Sequence, residues 1–213
     1  MLDLSRNQIT NAKGLGNLRN LKELDLSYNE INTFLASSGL TNMTNLKTLD
    51  LSSNQINTSL ASLGLQNLKS LEELHMYNNN ISGSLIPLGL VNLTNLKILD
   101  LSRNQITNAK GLENLINLKS LNLYVNQINT SLASSNLQNL KNLEELDMSY
   151  NEMSGSLSPL GLVNLTNLKR IDLSENRITD TKGLKNLKNL EELNMRSNEI
   201  SGGSLTLGNN NEN

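Results

Sequence analysis

The residue types that could carry chemistry in this 213-residue chain are few, and their spacing narrows them further. His75 is the single histidine, so a Ser-His-Asp relay would have to be assembled around it, with Ser52 or Ser102 as nucleophile. No oxyanion-hole signature and no phosphate-cradling glycine loop accompanies them. The adjacent pairs Glu72-Glu73, Glu144-Glu145 and Glu191-Glu192 resemble acid/base partners, but neighbours on a strand point to opposite faces and cannot cooperate. Acidic residues also recur at long intervals: Asp3, Asp25, Asp50, Asp100, Asp147 and Asp172, with His75, Asn122 and Asn194 at the equivalent positions. On strands about 4.8 Å apart these form a column of carboxylates that would welcome a basic ligand or, weakly, calcium. The plainer reading is an ordinary solvated strand face.

Tyrosine is more informative. All four, Tyr28, Tyr77, Tyr124 and Tyr150, fall one or two places before a periodic asparagine, where the strand rim is expected to be exposed. An exposed aromatic with a polar tip supplies contact area and is enriched at binding surfaces. Ile98 and Val125 are apolar residues in equally exposed columns. With His75, Arg103, Arg170, Arg196 and the carboxylates Asp50, Asp100, Asp147 and Asp172 they make up the candidate ligand-binding surface. No catalytic, metal or cofactor site is assigned, and the chain is expected not to be an enzyme.

The elements that position these residues follow from composition. Leucine supplies 47 residues and asparagine 38, aromatics are 2% and tryptophan is absent, so one small packing unit must be used repeatedly. A net charge of -2 and a pI near 5.5 provide no basic field for nucleic acid. The lack of cysteine removes disulfides and thiolate chemistry, and no stretch reaches the roughly 20 apolar residues of a membrane span. Met1 runs directly into Leu2-Asp3-Leu4 with no secretion-signal pattern.

The string LDLSRNQITNAKGL occupies residues 2–15 and recurs at 99–112, and GLVNLTNLK at 89–97 recurs at 161–169. Every L-x-L-x-x-N aligns on Asn7, Asn29, Asn54, Asn79, Asn104, Asn126, Asn151, Asn176 and Asn198, at spacings of 22, 25, 25, 25, 22, 25, 25 and 22. Each L-x-L pair reads as a short strand with one buried face, and the asparagine as a turn residue whose amide bonds backbone groups of its own turn and its neighbour's. Single units cannot bury their leucines; stacking supplies the core. The chain therefore reads as one α/β solenoid over 1–207, with nine repeats, a concave parallel sheet, a mostly irregular convex side and open ends, followed by a disordered tail at 208–213.

This pattern is identified as that of the leucine-rich-repeat family. The 22-residue units resemble the short type of intracellular phosphatase-regulating proteins and bacterial internalins. The 25-residue units, with Ile81-Ser82-Gly83-Ser84-Leu85, Pro87 and Gly89, and Met153-Ser154-Gly155-Ser156-Leu157, Pro159 and Gly161, look like those of plant receptor-like proteins and receptor kinases. That resemblance implies an extra convex-side strand in these units, and a role in signal transduction or defence at the outer face of the plasma membrane. It also implies a peptide, protein or carbohydrate ligand on the concave face and a co-receptor kinase as partner. N-x-S/T acceptors at Asn42, Asn57, Asn80, Asn92, Asn129 and Asn164 are candidate glycosylation sites. The alternative is a cytosolic scaffold or phosphatase-regulatory protein.

Overall fold

The computed structural model describes residues 1–12, 14–32, 40–57, 65–129, 137–158 and 161–201. In chain order the strands are β1 Leu2–Asp3, β2 Glu23–Asp25, β3 Thr48–Asp50, β4 Glu73–His75, β5 Ser82–Gly83, β6 Ile98–Asp100, β7 Gln105–Ile106, β8 Ser120–Asn122, β9 Glu145–Asp147, β10 Ser154–Ser156, β11 Arg170–Asp172, β12 Arg177–Asp180 and β13 Glu192–Asn194. Nine of them form one parallel sheet in the order β1-β2-β3-β4-β6-β8-β9-β11-β13, the concave layer of a horseshoe-like solenoid.

Register is set by the leucines. Leu24 pairs with Leu49, Leu49 with Leu74, Leu74 with Leu99 and Leu99 with Leu121, so one apolar column runs through the sheet. A second follows in Leu26, Leu51, Met76, Leu101 and Leu123, all fully buried. Period-two alternation sends the residues between these columns to the concave surface. Leucines of the return path, such as Leu68, Leu71, Leu93, Leu96, Leu115 and Leu118, close the core from behind.

The return path carries three-residue 3-10 turns, including Leu40–Asn42, Leu65–Asn67, Leu90–Asn92 and Leu162–Asn164, and no α-helix among the described residues. Two small parallel sheets lie outside the main one. β5 pairs with β7 and β10 with β12, so the Ser-Gly-Ser segments of two 25-residue units do form the additional strand. Pro159 and the 208–213 tail lie outside the described residues.

Each repeat leaves its concave strand through a left-handed residue immediately before the periodic asparagine. Arg6, Tyr28, Ser53, Asn78, Arg103, Val125, Tyr150, Glu175 and Ser197 have φ between 51° and 55°. None is glycine, and for an L-residue this conformation costs roughly 1–2 kcal/mol. The turn is held nonetheless, because it aims the following asparagine inward. From Asn29 to Asn176 that residue is buried, whereas Asn7 is exposed and Asn198 half-buried.

Candidate ligand-binding surface

The asparagine column defines where the concave rim ends. Each Oδ1 from Asn29 to Asn198 accepts a backbone N–H from the preceding repeat at 2.9–3.0 Å. Each Nδ2 donates both to its own turn and back to the preceding strand: for Asn54, to Leu51 and Ser52 at 3.1 and 3.2 Å and to Leu26 at 3.0 Å. Asn7 bonds only Leu4 and Ser5 of its own turn.

The carboxylate column has a structural task. Oδ1 of Asp3, Asp25, Asp50, Asp100, Asp147 and Asp172 accepts the N–H two residues on, from Ser5, Ser27, Ser52, Ser102, Ser149 and Ser174, at 2.8–2.9 Å. Asn122 and Asn194 do the same for Tyr124 and Arg196 at 3.0 and 3.1 Å. The position thus demands an acceptor to hold the strand-to-turn bend, an Asx turn, and leaves the second oxygen facing the concavity. At Asp3 the Ser5 amide draws the carboxyl below its ordinary range. At Asp147 burial dominates and pushes it up, with Asp172 and Asp100 adding repulsion, despite the Ser149 hydrogen bonds.

His75 stands half-buried in this column, with Nε2 4.0 Å from Glu73 Oε2, too far for a hydrogen bond. Ser52 is fully buried with an unpartnered Oγ, and Ser102 is buried as well. Among the described residues no side-chain hydrogen bond joins either serine to His75, and no charge-relay geometry is present.

The tyrosines gather into two clusters. Tyr28 and Tyr77 reach from the second and fourth repeats across Ser53 of the third, and their hydroxyls meet at 3.0 Å. That hydrogen bond draws the Tyr28 phenol down, while the same bond and then burial push Tyr77 up. The Arg6 guanidinium lies 4.3 Å from the Tyr28 ring centroid. In the second cluster Tyr124 and Tyr150 pack edge to face at 5.5 Å and 85°, with Arg103 5.3 Å from the Tyr124 centroid. Tyr28 and Tyr150 are exposed; Tyr77, Tyr124, Ile98 and Val125 are half-buried.

Arg170 forms an ion pair with Glu145, which also accepts from Ser120 Oγ at 3.4 Å. Arg196 lies with Tyr124, Asp147, Tyr150, Asp172 and Glu175 around a cavity of about 360 Å³. A larger hollow of about 660 Å³ adjoins it over β8, β9, β11 and β13.

A second asparagine column was not anticipated. Nδ2 of Asn45, Asn95, Asn117, Asn142, Asn167 and Asn189 donates to a carbonyl of the preceding repeat at 2.8–3.0 Å. All of these except Asn45 line a groove of about 790 Å³ with two ionic clamps. Glu72 lies between Lys47 and Lys97, at 2.6 Å from each, and Glu144 between Lys119 and Lys169, at 3.3 and 2.7 Å. Hydrogen bonds from Lys47 and Lys97 hold Glu72 down to about 2, and Lys169 and Lys119 lower Glu144. Equal spacing with the first asparagine column is the signal that exposes this second one in the sequence.

Models of leucine-rich repeats match residues 1–56, 44–89, 69–114, 141–185 and 166–211. The chain is a leucine-rich-repeat protein. It is similar to internalin C2 of Listeria monocytogenes, at 32% identity over 91% of this chain and 79% of that one, with a TM-score of 0.74. It is also similar to a plant peptide hormone receptor, RGFR1 in complex with RGF2, at 25% identity, 94% coverage and a TM-score of 0.68, although this chain spans 36% of that receptor. The TLR13–ssRNA13 complex matches at 27% identity over 88% of this leucine-rich-repeat chain and 27% of TLR13, with a TM-score of 0.74. Among curated proteins none matches at a significant level. The leucine-rich-repeat fold is a typical non-catalytic scaffold for protein interaction. No helix among the described residues is long and apolar enough to cross a membrane.

Proposed function

We propose that this leucine-rich-repeat chain is the ligand-binding part of a cell-surface receptor-like protein, taking a protein or peptide on its concave face and acting in signalling or defence with a co-receptor kinase. The observation that carries the reading is the placement of every tyrosine on that face, in two arginine-flanked clusters, with none in the core. Rigid aromatic anchors on a preformed sheet give contact area at low ordering cost. The similarity to a plant peptide hormone receptor and the additional strands β5 and β10 support the receptor branch. Although TLR13 is seen with ssRNA13, the acidic column here would repel phosphates and favours a polypeptide ligand.

The experiment is selection of binders from a random peptide library on the immobilised protein, followed by comparison with a Tyr77→Ser/Tyr124→Ser/Tyr150→Ser variant. Serine occupies the equivalent position in other repeats, for example Ser27, Ser53 and Ser102, so the fold should tolerate the change. Selected peptides should lose about fivefold or more in affinity; peptides indifferent to the change would remove the concave reading. For compartment, Asn42, Asn80, Asn92, Asn129 and Asn164 are exposed and Asn57 is half-buried. Expression in a secretory host should give glycans at Asn92 and Asn164. The 22-residue units favour a second reading, a cytosolic scaffold or phosphatase-regulatory protein, to which blank acceptors and a cytosolic pool would point.

A further inference from the structure

We propose that the C-terminal part of the concave face is a socket for an arginine side chain of the partner, seated against the Tyr150 ring with the Asp147 and Asp172 carboxylates beside it. This inference rests on the concave-face reading above and names the chemistry of its ligand. The socket is the cavity of about 360 Å³ bordered by Tyr124, Asp147, Tyr150, Asp172, Glu175 and Arg196.

Three observations converge on a guanidinium. First, the chain already places its own arginines over two other tyrosine rings of this face, Arg6 over Tyr28 at 4.3 Å and Arg103 over Tyr124 at 5.3 Å. Tyr150 makes an edge contact to Tyr124 and is 51% exposed, with no cation over its own ring among the described residues. Second, charge complementarity favours a cation. Three carboxylates border the cavity against one arginine, and the nearby Arg170 is engaged by Glu145. Burial and neighbouring carboxylates already push Asp147 up, a strain that an incoming cation would relieve. Third, each aspartate commits Oδ1 to its serine amide, leaving Oδ2 toward the concavity, although Asn194 Nδ2 already reaches Asp172 Oδ2 at 2.8 Å. Arginine fits better than lysine because its planar fork can stack on a ring and bond carboxylates at once.

The probe is fluorescently labelled tetra-arginine amide at low ionic strength, with tetra-citrulline amide as the uncharged analogue, read by anisotropy. Asp147→Asn/Asp172→Asn is a clean variant, because Asn122 and Asn194 natively make the same backbone hydrogen bond. Glu30→Gln/Glu152→Gln removes equal charge at exposed positions outside the concave strands. Tetra-arginine should bind and tetra-citrulline should not; the first double variant should weaken binding about tenfold or more and Tyr150→Ser about threefold or more, with the second double variant within about twofold. Absence of binding, equal loss in both double variants, or an unaffected Tyr150→Ser protein would overturn the socket. If library-selected peptides still depend on the tyrosines in that case, the concave-face reading survives and only the arginine socket falls.

Discussion

Replacing Asn104 with alanine tests the asparagine column at its most informative point. Asn104 is 7% exposed; its Nδ2 donates to Leu101, Ser102 and Met76 at 3.0, 3.1 and 3.1 Å, and its Oδ1 accepts from Ile81 N–H at 3.0 Å. The four bonds are unequal in consequence. Leu101 C=O keeps Asn126 Nδ2 at 3.1 Å, Met76 C=O keeps Asn79 Nδ2 at 3.2 Å, and Ser102 C=O keeps the Asn78 N–H at 2.9 Å. Ile81 N–H has no other acceptor among the described residues. One buried orphan donor costs about 1–3 kcal/mol, and the weakened carbonyls bring the expected loss to about 2–4 kcal/mol. Asn7→Ala removes two exposed bonds of a single turn and should cost no more than about 0.5 kcal/mol. Urea unfolding monitored by circular dichroism gives both values. Native-state hydrogen exchange should show the largest loss of protection at Ile81, because repeat proteins can open locally. Equal costs for the two variants, or unchanged exchange at Ile81, would refute this division of the ladder's energy.

Three further outcomes follow from local geometry. Val125 is a β-branched residue at φ 52°, so Val125→Asn, matching Asn78 at the equivalent turn, should stabilise the protein by about 1 kcal/mol in urea melts. Gly111 and Gly14 belong to the same repeated string at positive φ, yet a Cβ at Gly111 would lie 2.8 Å from Ile86 N, whereas Gly14 faces open space. Gly111→Ala should therefore cost at least about 2 kcal/mol and Gly14→Ala about 1 kcal/mol, compared by thermal unfolding. Glu72 is held at about 2, below its ordinary 4.5, so its contribution is present above pH 4.5 and is lost as pH falls through about 2. Glu72→Gln should flatten the dependence of the urea midpoint on pH across that window, and an unchanged profile would show the lysine clamp to be inert.

The stacking of the repeats was legible from leucine and asparagine spacing because each column recurs at one fixed register, and parallel pairing preserves it: Leu24, Leu49 and Leu74 align as read. The left-handed turn before each asparagine was not legible, since tyrosine, arginine, serine, glutamate and valine occupy it where glycine would have marked it. The aspartates read as free carboxylates because an Asx hydrogen bond depends on backbone direction, which composition does not convey. Tyrosines could be placed on the rim one by one, but their grouping depends on reach. Tyr28 meets Tyr77 two repeats away, with Ser53 of the intervening repeat hydrogen-bonded to both. The lysine clamps were within reach of register arithmetic: Lys47, Glu72 and Lys97 are 25 residues apart and so adjacent on the sheet flank.

The concave-face reading is tested most directly by fluorine NMR of protein labelled with 3-fluorotyrosine, because the four tyrosines give four signals and all lie on the concave rim. Addition of a library-selected peptide should shift the Tyr124 and Tyr150 resonances, assigned by single Tyr→Ser variants, in proportion to occupancy. Saturating binding that leaves all four signals in place would contradict the concave-face reading and move the ligand to another surface.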